Sequence, residues 1–98
     1  MLILPEPVTF EWDEGNERKN LERHGVTRQE IEEAFFDPQK KLLENPLYSG
    51  SEERYVLLGE TREGRLLFVV FTMRNQKIRA ISARDLNRRE RPLYEEEA

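Results

Sequence analysis

Cysteine is absent from the 98 residues, which excludes disulfides and thiolate metal ligands. The same absence is compatible with a reducing cytoplasm. A single histidine leaves too few soft ligands for a structural or catalytic zinc site, and no cofactor is expected. No apolar run is long enough to span a bilayer, and no signal-peptide pattern occurs, so a cytoplasmic protein without membrane contact is expected. Excess base is missing too: 20 Asp and Glu against 16 Lys and Arg give a net charge of −4. A nonspecific duplex binder is normally basic overall, so that class is disfavoured.

What remains is a heavily charged chain, 37% charged and 37% apolar, whose apolar residues are clustered. That clustering argues for one folded domain with a charged exterior rather than disorder. The charge is divided unevenly. Residues 1–63 carry 15 acidic and 8 basic side chains, whereas residues 64–91 carry 2 and 8. The second stretch could present a local arginine-rich surface to phosphates, although a solvated mixed-charge exterior would give the same counts.

The densest stretch is FEWDEGNERKNLERHGV, from Phe10 to Val26. Phe10 and Trp12 alternate with Glu11 as in a half-buried strand. Asp13 suits an N-cap, Glu14 and Glu17 the positive first turn, Arg23 and His24 the negative last turn, and Gly25 the helix exit. Thr27 with Glu30 predicts a capping box opening a second helix, which Asp37-Pro38 stops, with Phe36 packed at its exit. Residues 40–45 read as a short edge strand confined by Pro46, and Tyr48 to Glu53 as a polar loop. RYVLLGE, RLLFVVFTM and KIRAISA follow as an antiparallel meander. Ser82 with Asp85 has capping-box spacing for a final helix, which Pro92 should end. The expected fold is α+β: an antiparallel sheet of four to five strands, two N-terminal helices and a C-terminal helix, with the helices on one face. Residues 1–9 form an extended lead-in, 10–94 the domain, and 95–98 an acidic tail.

His24 has the only side chain whose ordinary pKa lies near neutrality, so it is the natural proton shuttle if there is one; the residues alone favour the simpler reading, a histidine that complements the helix dipole and needs no other role. Asp13, Glu14 and Glu17 are better read as cap and first-turn charges than as magnesium ligands. Arg79 sits mid-strand between apolar residues, read on the face of Ile81 and Ala83. Arg54 opens a strand on the face of Val56 and Leu58, and Arg84 follows the last strand. Such arginines suit phosphate, or else neutralise Glu11, Glu53 or Glu60. Tyr94 could stack on a base or pin the tail to the core.

Together with Phe36-Asp37-Pro38, Arg54, Gly59, Ile81-Ser82-Ala83-Arg84 and Arg89-Glu90-Arg91 before Tyr94, the opening string resembles the BrnT toxins, from about Phe10 to Tyr94. These are the ribonuclease halves of bacterial type II toxin–antitoxin modules. The resemblance implies a RelE/ParE-like fold and metal-independent endoribonuclease activity by attack of the ribose 2′-OH. It implies a cognate antitoxin as partner, with DNA contacted only through that antitoxin. On this reading Arg54, Arg79 and Arg84 clamp phosphate and His24 is the general acid or base. Lys19, Asn20, Arg88 and Tyr94 contact or position the RNA. Two positions depart from the family pattern: Asn16, where lysine is common, and Pro92, where the pattern is usually more basic. A toxin acting by protein binding alone is the second reading, and an autonomous nucleic-acid-binding regulator the third.

Overall fold

Local capping signals build the two N-terminal helices of the computed structural model, which describes residues 3–49 and 52–96. Helix α1 spans Glu14–His24, with Asp13 Oδ1 accepting from the Gly15 N–H at 2.7 Å. Gly25 ends it at a φ of 63°, a left-handed value that glycine adopts without strain. Helix α2, Arg28–Phe35, opens on the expected box: Thr27 Oγ1 accepts from the Glu30 N–H, and the Glu30 carboxylate from the Thr27 N–H. Ile31, Ala34 and Phe35 form its buried stripe. Phe36, expected to pack at the exit, is instead 61% exposed and meets Phe10 edge-on.

The sheet is a four-stranded antiparallel meander in the order β1 (Lys41–Ser49), β2 (Glu52–Glu60), β3 (Leu66–Arg74), β4 (Lys77–Asp85). Its tight β3–β4 turn has Asn75 and Gln76 at φ 51° and 64°, the paired positive values whose twist matches a two-residue hairpin. Four elements differ from expectation. β1 runs through Pro46 to Ser49 and β2 begins at Glu52, so the expected loop is mostly strand; Gly50 and Ser51 lie outside the described residues, as do 1–2 of the lead-in and 97–98 of the tail. The Phe10–Trp12 strand shrinks to one parallel bridge, Phe10 with Ile78, made by the Glu11 N–H to Ile78 O and the Ile78 N–H to Thr9 O. Ser82 to Asp85 continue β4 rather than starting a helix, because pairing with β3 outweighs the local cap signal.

The final helix starts later and more sharply. Asn87 Oδ1 accepts from the Glu90 N–H, and the Glu90 carboxylate accepts from the Asn87 N–H, a reciprocal box. Helix α3, Arg91–Glu95, follows with Pro92 in its first turn. Pro92 therefore opens this helix instead of ending one, since a first-turn residue needs no intrahelical N–H bond.

Two apolar clusters sandwich the sheet. Val26, Ile31, Ala34 and Phe35 pack on Leu57, Leu67, Val69, Phe71, Ile78, Ala80 and Ala83, with Leu4, Val8, Phe10 and Trp12 closing the side. Each large side chain buried here contributes about 1.5–3 kcal/mol, so this cluster dominates stability. On the other face, Leu86 and Tyr94 cover Val56 and Leu58. The helices therefore do not share one face as expected: α3 lies opposite α2. Helix α1 is fastened to β4, where Asn20 Oδ1 accepts from the Ala83 N–H at 3.1 Å.

Candidate functional site

A one-residue bulge in β4 decides which side chains meet. Val70 pairs with Ser82 but Phe71 pairs with Ala80, so Ile81 is extra. The bulge reverses the alternation beyond it. Ala83 consequently joins Ile78 and Ala80 in the main core, and not the face of Arg79 as the unbroken alternation suggested. Arg79 and Arg84 are thereby turned to the same face, the one carrying Val56, Leu58 and Arg54.

On that face Arg79 stands opposite Thr72, and continuing the β2–β3 register by one position sets Arg54 opposite Thr72 from the other side. Two strand spacings of about 4.8 Å put the arginine Cα atoms roughly 10 Å apart, a gap their side chains can close on one anion. The Arg54 Nε is buried and has no hydrogen-bond partner among the described residues. Arg79 is held loosely, donating to Glu11 at 3.4 Å and Asp13 at 3.3 Å, with its side chain 19% exposed. The bridge at Phe10 sets the Glu11 carboxylate beside this row.

Arg84 is engaged differently. Its guanidinium lies 4.0 Å over the Phe68 ring and forks onto both Glu90 oxygens at 2.8 Å. This pairing raises the Arg84 pKa and lowers that of Glu90. A phosphate would have to displace that carboxylate, so Arg84 is a strut of the β4–α3 turn in this structure.

His24 is exposed at the end of α1, close enough to Asp85 for its charge to act there. Asp85 lies six positions along β4 from Arg79, but with the bulge only five ladder steps separate their partners Leu67 and Thr72, roughly 16–17 Å at ~3.3 Å per residue. The structure does not bring His24 to the Arg54–Arg79 row. What fixes the His24 end is Arg65, which the sequence did not flag. Its guanidinium donates to Asp85 at 2.6 Å, to Glu30 at 3.1 Å, and to the carbonyls of His24 and Gly25 at 2.9 and 2.8 Å. It thus satisfies carbonyls at the helix end and ties α1, α2 and β4 together. The Arg65 hydrogen bond, aided by its charge and that of His24, holds the Asp85 carboxyl below the usual range. Burial pushes Glu30 up, but hydrogen bonds from Thr27 and Arg65 outweigh it, and the net shift is down. Both shifts are depressions. Their stabilisation is present above the ordinary values of 3.8 and 4.5 and is lost as pH falls through the lower native ones. Arg65→Met should cost about 1–3 kcal/mol at neutral pH. It should also flatten the acid limb of stability against pH, as followed by urea denaturation.

The remaining candidates divide by burial. Lys19 and Arg88 are exposed. Asn20, expected near RNA, is 3% exposed, and its amide docks α1 onto β4. Tyr94 does not present a stacking ring; it is buried, which raises its pKa, and its hydroxyl donates to Asp37 Oδ2 at 2.6 Å, which raises it further. The side chain of Asn16 lies outside the described residues. Among the described residues no cluster of three or more His, Cys, Asp or Glu is disposed to hold a metal, and no helix is long and apolar enough to cross a membrane.

This is an α+β protein with a four-stranded meander whose face opposite α2 carries arginines, a class of surface suited to phosphodiesters. The chain belongs to the BrnT toxin family: the family described as "Ribonuclease toxin, BrnT, of type II toxin-antitoxin system" matches residues 12–90. Its fold is similar to the 1.1 Å crystal structure of the Brucella abortus ribonuclease toxin BrnT. The TM-score is 0.60 at 19% identity, covering 83% of this chain and 99% of that one. No curated protein matches this sequence. Membership of a type II toxin–antitoxin ribonuclease family implies an RNA substrate and an antitoxin partner.

Proposed function

We propose that this chain is an endoribonuclease toxin that cuts RNA by attack of a ribose 2′-OH on the adjacent phosphate, and that a cognate antitoxin neutralises it. The observation that carries this reading is the cross-strand row Arg54–Thr72–Arg79 on the sheet face that also carries Val56, Leu58 and Arg84. A buried guanidinium Nε without a partner is costly unless a ligand supplies the acceptor, and a phosphate oxygen does so.

In this mechanism the scissile phosphate enters between Arg54 and Arg79. Fixed donors there stabilise the charge that grows on the phosphoryl oxygens as the bond forms. Phosphate takes over the Arg79 N–H groups and frees Glu11, whose carboxylate accepts the 2′-OH proton. The P–O5′ bond breaks, and the leaving oxygen takes a proton from water. The products are a 2′,3′-cyclic phosphate and a 5′-hydroxyl. His24, set apart at the far end of β4, takes no part in this step. Arg84 supports the rim without contacting the reacting phosphate.

The test is cleavage of a defined RNA by the purified, antitoxin-free protein in excess EDTA, with the product ends identified by mass spectrometry. Cyclic-phosphate ends, and loss of cutting when the nucleotide 5′ of the cut carries a 2′-O-methyl group, are the expected result. Cutting that survives 2′-O-methylation contradicts the mechanism. Glu11→Gln should slow the step by about 10²–10⁴-fold, the usual contribution of a positioned base.

A further inference from the structure

The turn between β4 and α3 is more rigid and more basic than a connector needs to be. Leu86 and Tyr94 are buried against Val56 and Leu58, and the Leu86 N–H donates to Leu66 O at 2.9 Å. Between these anchors the Asn87–Glu90 box and the Arg84 fork fix the backbone. The fork also consumes Glu90, and Arg65 engages Asp85, so the acidic side chains of residues 84–91 are spent. Arg88, Arg89 and Arg91 are exposed, with no ion-pair partner among the described residues. They follow Arg84 in the chain, in the turn at the end of β4 away from Arg79.

We propose that Arg88, Arg89 and Arg91 form a track for single-stranded RNA flanking the cut, held in place by the Arg84–Glu90 strut. The choice of RNA as ligand rests on the function proposed above. Guanidiniums on a fixed turn meet successive phosphates without ordering the backbone at each encounter, and the gain is electrostatic and salt-sensitive. The track contributes affinity for longer substrates and leaves the chemical step alone.

The probe is a short 2′-O-methyl oligoribonucleotide, which cannot be cut by 2′-OH attack, followed by fluorescence anisotropy across a salt series. Arg88→Ala, Arg89→Ala and Arg91→Ala are combined, and a triple lysine variant runs alongside. The alanine triple should bind at least tenfold more weakly at low salt. The slope of log affinity against log salt should shrink by about 2, at ~0.7 for each phosphate no longer neutralised. The lysine triple should keep the slope. An unchanged affinity and slope in the alanine triple overturns the track, whatever the cleavage assay gives. Competition by polyglutamate as strong as by RNA overturns it as well, in favour of an acidic protein segment. Wild-type protein that binds the probe through these arginines yet never cuts RNA refutes the proposed reaction and supports the track.

Discussion

Arg79→Ala should slow single-turnover RNA cleavage by about 10²–10³-fold, the cost of removing one donor aimed at transition-state charge. The effect has two parts. The phosphoryl oxygens lose a planar guanidinium, and Glu11 and Asp13 no longer share its positive charge, which turns local attraction of phosphate into repulsion. Unfolding is not the cause, because ion pairs at 3.4 and 3.3 Å to half-exposed carboxylates are worth only about 0–1 kcal/mol. Arg79→Lys should restore part of the rate, since it keeps the charge but not the fork. Circular dichroism and a urea midpoint close to wild type would confirm that the variant is folded.

Gly59→Ala should have the largest effect on stability. A Cβ at this position would lie 2.4 Å from the Ala34 carbonyl oxygen and 3.0 Å from its carbon and Cβ. Here α2 packs its backbone directly on β2, and neither side can give. Gly59 is paired with Leu67 in mid-sheet, while Ile31, Ala34 and Phe35 lock α2 into the main core. The cost should reach or exceed ~3 kcal/mol, the upper end of ordinary overpacking. For a domain of this size that lowers the melting temperature by roughly 12 °C or more, measurable by calorimetry. A near-native melting temperature would mean that α2 can slide on the sheet, contrary to its buried stripe.

These two residues also show what the sequence could carry. Arg79 stood out because an arginine among KIRAISA apolars is expensive unless it has an anion to meet. The ends of α1 and α2 were legible for the same reason of locality: Asp13, Gly25, Thr27 and Glu30 act on backbone groups within one turn. Strand pairing is not local. Ser82 and Asp85 carry a helix-start spacing, yet the ladder with β3 claims them, and the true start signal was Asn87 with Glu90. The bulge at Ile81 follows from how two strands fit, so the faces of Ala83 and Arg84 could not be read by counting. Arg65 was invisible for a related reason. Its acceptors come from α1, α2 and β4, and no spacing relates them before the chain is folded. His24 attracted attention by its chemistry, but its place along β4 separates it from the arginine row.

The most direct measurement is therefore a side-by-side one: single-turnover cleavage of one RNA by wild type, Arg79→Ala and His24→Ala, all verified as folded. A reaction centred on the arginine row predicts a drop of about 10²-fold or more for Arg79→Ala, with His24→Ala near the wild-type rate. Full activity in Arg79→Ala with inactivity in His24→Ala would move the reaction to the far end of β4 and contradict the arginine row as its site.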